Sequence, residues 1–359
     1  MFLRKQEVNI LSAEVRLASI GSGLIGQVHA RILAQLESCN YVAISDSDPA
    51  KKAIADSYGV KFYTDYREMI EKEELDGVIV SIPNELHTPV GTYCAEHGLH
   101  VFMEKPIASS IEDAKQLIES VEKNKVQLLI GHHRRFNPLM VAMKGILQRG
   151  ELGNIVGISM LWEMYKPSEY FVQGPWRKRK GGGPILINLI HEIDNLRYIY
   201  GEIDRVYAEV SNKGRGFEVE DTVGVTLRMR DGAIANILLS DTVPSKWAYE
   251  QTMGEFDHFY QGRGNIYHFF GDKASLAFPE MLKIYYPDEK KAGWQYPLKM
   301  EKLELSSASP YPEQMEHFVR VVKGEELPRT NGRDALTTLK VTMAVHESGL
   351  SHMPVEFDA

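Results

Sequence analysis

The sequence predicts two domains: an α/β dinucleotide-binding domain of Rossmann type, then an α+β domain on a large, mostly antiparallel open sheet. Three observations carry that expectation. Residues 15–26, VRLASIGSGLIG, pass from an apolar run of strand character into G-x-G-x-x-G. Short apolar runs then alternate with helical patterns up to residue 130, the mark of βαβ units. Farther on, strand-like runs follow one another without helices between them, the mark of an antiparallel sheet.

Val15–Ile20 is the first strand. Gly21 permits the tight turn, Gly23 removes a Cβ where a pyrophosphate must come close, and Gly26 lets helix pack on strand. The helix that follows offers free N–H groups at Leu24 and Ile25 to phosphate. Leu24, Val28, Ile32 and Leu36 are expected on its apolar face. Asp46 ends the next strand, Tyr41–Ser45, and stands 20 residues past Gly26. That is the place for an acid that accepts the ribose hydroxyls. A carboxylate there repels a 2′-phosphate, so NAD is expected in preference to NADP.

The alternation continues with Pro49–Tyr58, Lys61–Tyr63, Tyr66–Glu71, Gly77–Ser81, Leu86–His97, His100–Phe102, Ile111–Asn124 and Val126–Ile130. Ligands of such sheets sit at the carboxyl ends of the strands. The segments that end strands are therefore the first functional candidates: Ser81, Ile82 and Asn84; Glu104, Lys105 and Pro106; and Gly131 to Arg135. Lys105 carries the most chemistry, because an amine at a strand end can donate to a substrate oxygen.

GSGLIG, IPNELH (residues 82–87), EKP (104–106) and GHHRRFNP (131–138) together resemble the Gfo/Idh/MocA oxidoreductase family. The resemblance covers nearly the whole chain. It implies an NAD(P)-dependent dehydrogenase or reductase of sugars, inositols and related polyols. It makes Lys105 the catalytic, substrate-orienting lysine. It also places Asn84 and His87 at the nicotinamide end of the cofactor.

Composition agrees with such a protein. The chain has 359 residues, 43% hydrophobic and 25% charged, enough for two domains. A net charge of −8 argues against a nucleic-acid surface. Cys39 and Cys94 are too few for a disulfide framework and read as buried small hydrophobes in a reducing compartment. Residues 1–14 lack an apolar signal region, and no run is long enough to cross a bilayer, so a cytoplasmic location is expected. Domain limits are set at 1–14 for an N-terminal extension, 15–137 for the first domain and 138–359 for the second.

In the second domain Ile155–Met164, Arg205–Val210, Thr222–Met229, Ala233–Ser240, Asn265–Gly271, Ser275–Phe278 and Lys283–Tyr286 are strand-like, and Asp231-Gly232 makes a hairpin turn. Two helices, Pro312–Lys323 and Gly332–Glu347, are expected to pack back on the body. The open sheet face is expected to join subunits into a homodimer or homotetramer.

The segment 180–200, KGGGPILINLIHEIDNLRYIY, reads as a glycine turn and a helix. Asn188, His191, Glu192 and Asn195 share one face. Here too the family resemblance speaks: a helix histidine at the position of His191 serves as general acid/base. The family often carries an aspartate four residues earlier, where this chain has Ile187. The partner of His191 is left open between Glu192, Asp194 and another segment. Asn188, His133, Arg134, Glu192 and Tyr165 are the substrate-binding candidates. Trp176, beside the basic run 177–180, is a candidate to cover cofactor phosphates or part of a solvated cluster. Residues 247–260, aromatic and polar, read equally as a substrate loop or an interface loop. H-E-x-x-H fails because residue 195 is Asn, so no metal is expected.

The expected reaction is hydride transfer between NAD and a secondary alcohol of a sugar, glycoside or cyclic polyol. Its rivals are a glycoside-processing enzyme that retains and recycles NAD, a non-catalytic dinucleotide sensor, and a biliverdin-reductase-like enzyme with a non-sugar substrate.

Overall fold

The computed structural model describes residues 14–255, 259–305 and 308–357. The N-terminal extension up to residue 13, and residues 256–258 of the aromatic loop, lie outside that description. The chain forms two compact units. The first comprises the residues up to Glu104 with Gln116–Leu129 and Met315–Pro328; the second comprises Lys105–Lys115, Ile130–Gln314 and Arg329 onward.

The elements run β1 Val15–Ile20, α1 Leu24–Leu33, β2 Cys39–Ser45, α2 Lys52–Tyr58, β3 Lys61–Tyr63, α3 Tyr66–Lys72, β4 Gly77–Val80, α4 His87–Glu96, β5 His100–Met103, α5 Ile111–Lys123 and β6 Leu128–Ile130. The first sheet has the order β3-β2-β1-β4-β5-β6. β1 pairs in parallel with β2 on one side and β4 on the other. The order therefore reverses between β1 and β4, and ligands of such sheets bind where it does. Near-continuous burial of β1 and β4 suits strands covered on both faces. Cys39 and Cys94 are buried and free.

One expectation about α1 fails. Its buried residues are Gly26, His29, Ala30, Ile32 and Leu33, whereas Leu24 is 86% exposed. Backbone contact decides the rotation. A Cβ on Gly26 would lie 2.3 Å from the Gly21 carbonyl oxygen. The helix must turn its glycine to the strand, and Leu24 is carried outward.

The second unit continues with α6 Pro138–Gln148, β7 Ile155–Glu163, α7 Ser168–Gln173, a π-helical turn Ile185–Leu189, α8 Ile190–Ile199, β8 Ile203–Ser211, β9 Thr222–Met229, β10 Ile234–Ser240, α9 Tyr249–Met253, β11 Tyr267–Gly271, β12 Ala274–Phe278, β13 Leu282–Tyr285, β14 Lys299–Lys302, α10 Pro310–Val322, α11 Gly332–Ser351 and β15 Val355–Glu356. Its sheet has nine strands, β14-β13-β12-β11-β7-β10-β9-β8-β15. The pairs are antiparallel except β7 with β10. Asp231 and Gly232 turn the β9–β10 hairpin, with Gly232 at φ +96° and the Ala233 amide donating to the Asp231 carboxylate at 3.1 Å. Alternate residues of β9 and β10 enter a core with Leu189, Ile193 and Leu196 of the π turn and α8 and Val341 and Val345 of α11. Among the described residues no helix is long and apolar enough to cross a membrane.

Candidate active site

The first unit holds a cradle at the order reversal. Gly21 has φ +92°, and a Cβ there would meet the Ser81 carbonyl oxygen at 2.3 Å, so the missing side chain lets the ends of β1 and β4 close up. A Cβ on Gly23 would meet nothing within 4 Å. Gly23 is the N-cap of α1, and no side chain caps the helix. The leading N–H groups at exposed Leu24 and half-buried Ile25 are thus left to an anion. Asp46 is half-buried, and its Oδ2 accepts from the Ser22 amide at 2.8 Å and the Ser22 hydroxyl at 2.6 Å. Burial would raise its pKa, but the Ser22 hydroxyl, the Asp48 and Ser22 amides and Lys51 together hold it below the usual value. An ionised acid fixed at the end of β2 suits ribose hydroxyls. These features fit a dinucleotide: an uncapped helix end, space at the middle glycine and an anchored acid.

The remaining first-unit candidates divide. Ile82 and Asn84 are half-buried on the turn after β4. Ser81 is 9% exposed, and among the described residues its hydroxyl has no partner. His87 is fully buried, and its Nε2 lies 3.0 Å from the Ile82 carbonyl oxygen. From there it braces the turn that carries Ile82 and Asn84. Glu104, 7% exposed, lies 2.7 Å from the Nε2 of buried His29, so it too is mainly internal.

In the second unit half-buried Lys105 opens a cis peptide to Pro106. His191, on α8, is 6% exposed. The His132 and His133 rings stand edge-on to it at 6.3 and 5.4 Å. Burial lowers the His191 pKa well below the ordinary value, and Lys105, Arg134, His133 and His132 lower it further. The imidazole is therefore neutral at neutral pH. Among the described residues no group of three or more His, Cys, Asp or Glu could hold a metal ion.

Neither acid proposed as partner of His191 is free for that role. Glu192 is fully buried; it accepts from Arg134 at 2.5 Å and from the Tyr267 hydroxyl. Asp194 takes both nitrogens of a fork from Arg135, at 2.9 and 2.6 Å, and the Thr338 hydroxyl at 3.1 Å. Glu192 and Arg134, both substrate candidates, are bonded to each other in this network. Arg134 is 2% exposed, donates also to Glu250 at 2.7 Å and lies 3.8 Å over the Tyr249 ring. These groups are a buried frame, because a buried charge must be paired. His133 is 9% exposed. It stacks on Tyr311 at 4.6 Å, with Nε2 3.7 Å from Glu255.

Asn188 is 9% exposed and lies in the π turn, where half-exposed Ile187 also sits. Such turns recur at functional sites. The turn starts at Gly183–Pro184, where the Glu220 carboxylate accepts from the Ile185 amide at 2.9 Å. Tyr165 is 54% exposed; it bridges to Thr242, with the Arg215 guanidinium 5.5 Å above its ring. Trp176 is half-exposed on the short turn Pro175–Lys178, 5.6 Å from the Arg177 guanidinium. Two residues carried no sequence signal: Ser22, which anchors Asp46, and Lys166, whose Nζ lies 2.6 Å from Asn188 Oδ1.

Residues 15–132 match a family model described as an oxidoreductase family with an NAD-binding Rossmann fold. Residues 140–277 match the GFO/IDH/MocA C-terminal domain. The chain is 28% identical to a myo-inositol 2-dehydrogenase of Thermotoga maritima over 344 residues, 93% of this chain and 96% of the relative. It is 28% identical to a 2,7-anhydro-N-acetylneuraminate hydratase of Mediterraneibacter gnavus over 62% of this chain and 60% of that one. In fold it resembles the crystal structure of the WlbA dehydrogenase of Bordetella pertussis in complex with NADH and UDP-GlcNAcA. There the TM-score is 0.78 at 22% identity, over 96% of this chain and 99% of that one. The chain thus belongs to the Gfo/Idh/MocA family of NAD-binding oxidoreductases and is an NAD-dependent dehydrogenase or reductase.

Proposed function

We propose that the substrate is a sugar, glycoside or cyclic polyol, oxidised or formed at a secondary alcohol. The observation that supports this reading is His191, 6% exposed on α8 beside the His132 and His133 rings, with the Lys105 charge among those that lower its pKa. Lys105 follows by one peptide bond the strand-end residue Glu104. In the oxidative direction His191 accepts the hydroxyl proton, and the Lys105 ammonium donates to the same oxygen and stabilises the charge that develops on it. NAD, when bound, supplies the hydride chemistry. Its phosphates would lie on the N–H groups of α1 and its ribose on Asp46, with Ile82 and Asn84 nearest the nicotinamide. Asn188, Tyr165 and His133 are the candidates of the second unit for binding the substrate. The inositol name of one relative supports a polyhydroxylated ring.

A second reading keeps NAD bound and recycles it in a redox-neutral reaction. The relative named a hydratase favours retaining it. Incubation with NAD and a panel of sugars, inositols and glycosides, followed by absorbance and product mass, separates the two. Net NADH with a product two mass units lighter supports the dehydrogenase; product without net NADH supports recycling; no product from any member overturns both.

We propose further that the outer face of the nine-stranded sheet joins subunits. Val156, Ile234, Leu238 and Phe270 are 62, 52, 47 and 41% exposed on β7, β10 and β11, and such a row is covered in most soluble proteins.

A further inference from the structure

Lys166 follows β7 and is 6% exposed. Its amine lies 5.4 and 5.1 Å from the Trp162 and Tyr170 rings. Nζ is 2.6 Å from Asn188 Oδ1 and 3.5 Å from Asp241 Oδ2. Arg215 clamps the same place: its Nε is 2.7 Å from Asp241, and its Nη2 donates to the Lys166 carbonyl at 2.8 Å. An ammonium has three donors and no acceptor, so only the oxygen of the amide can face it. The Asn188 NH2 group is thereby turned away from Lys166. Asn188 stands three residues before His191, and both side chains retain some exposure.

We propose that Lys166 is a positioning residue that locks the Asn188 amide, so that Asn188 donates to an acceptor oxygen of the substrate beside the reacting alcohol. This rests on the sugar or polyol reading. It fits rings whose neighbouring oxygen accepts: a ring ether, carbonyl or carboxylate oxygen, or a hydroxyl through its lone pairs. An aspartate in place of Asn188 would instead accept from a hydroxyl and repel an acid.

The charged and titratable groups around the amine are Asp241 after β10, Glu250 on α9, Arg215 on the β8–β9 loop and Tyr170 on α7. Burial pulls Lys166 down to about 8, with Asp241 and Glu250 opposing and Arg215 adding to the fall. Above that pH the neutral amine can also accept, and it no longer holds the amide one way round.

The test uses the full chain labelled with 15N-asparagine, with the Asn188 side-chain signals identified by their loss in Asn188→Asp. Those signals are expected to shift with a midpoint near pH 8, and to lose that transition in both Lys166→Met and Lys166→Arg. With a substrate in hand, Lys166→Met should raise KM roughly ten-fold with little change in kcat, as loss of a charge-assisted hydrogen bond predicts. Lys166→Arg keeps a cationic donor; it should restore KM and abolish the rise in KM that loss of the Lys166 charge causes above about pH 8. Asn188 signals indifferent to Lys166→Met, or an unchanged KM in that variant, overturn the proposal. If Lys166→Met does not fold, a transition that persists in Lys166→Arg overturns it. If the amide titrates as expected but no sugar is turned over, the lock stands and the substrate reading falls.

Discussion

The His191 ring makes no hydrogen bond to a described side chain, although acids flank it in sequence at 192 and 194. Arginines have taken those acids, so in the proposed reaction the ring would act as a neutral base with no acid partner. Its pKa lies below the ordinary value through burial and the neighbouring Lys105. The neutral, proton-accepting form therefore persists on acidification past pH ~6.5, where a free imidazole would begin to protonate. A profile of kcat/KM for oxidation should have its acid limb below that pH; a limb above it would contradict the assignment. Lys105→Ala and His191→Ala should each lower kcat by ~10-fold or more, the usual scale of a lost acid–base or oxyanion contact, with NADH affinity nearly unchanged. Asp46→Ala should relax the preference for NAD(H) over NADP(H), measured as a ratio of kcat/KM values; an unchanged ratio would remove Asp46 from cofactor selection. Lys105, His191 and Asp46 were legible because each has a place in a motif. Ser22 and Lys166 were not, since a lone serine or lysine gains meaning only from the partner that the fold brings to it.

At the scale of elements, β1, β3 and β9 coincide with their apolar runs, and the last helices differ from expectation by a few residues. The face of α1 was misread because apolar spacing competes with the close approach of Gly26 to Gly21, and backbone contact wins. The π turn at Ile185–Leu189 was illegible, because its added residue is stabilised by tertiary contacts rather than by propensity. Two glycines of the cradle give a graded test. Gly26→Ala puts a Cβ 2.3 Å from a backbone oxygen and should cost ~1–3 kcal/mol, seen as a lower Tm. Gly23→Ala adds a Cβ to open space at φ −66°. It should leave Tm unchanged while weakening NADH binding by ~10-fold or more, because the methyl stands where pyrophosphate approaches. Equal NADH affinity in Gly23→Ala would show that the phosphates do not lie there.

At the scale of the molecule, a chain of ion pairs ties distant segments of the second unit: Arg135 to Asp194 and Asp334, and Arg197 to Asp334. Pairs so far apart in sequence cannot be read from spacing, which is why Arg134 was read as a substrate candidate and Arg135 was given no single role. The same frame predicts how stability follows pH. Burial pushes His132 down to about 4, with Asp194 opposing. The unfolded chain binds the extra proton between pH ~6.5 and that value, so stability should fall as pH drops through this window, by ~1.4 kcal/mol per unit at most. Burial would raise Asp194, but Arg135 and His132 hold it at about 2, so its share is lost only below pH ~4. Thermal melts from pH 7 to 3 measure both, and His132→Gln should flatten the upper part. Ile234→Asp with Leu238→Asp should lower the sedimenting mass if the open sheet joins subunits; an unchanged mass would exclude that face. The central claim is that an amine and an unassisted imidazole act on one alcohol oxygen. A crystal structure of the protein with NADH and a turned-over polyol tests it most directly. The account predicts Lys105 Nζ and a His191 ring nitrogen both within hydrogen-bond reach of the hydroxyl oxygen whose carbon faces the nicotinamide. An oxygen held by neither group, or by Lys105 alone with His191 turned away, would contradict it.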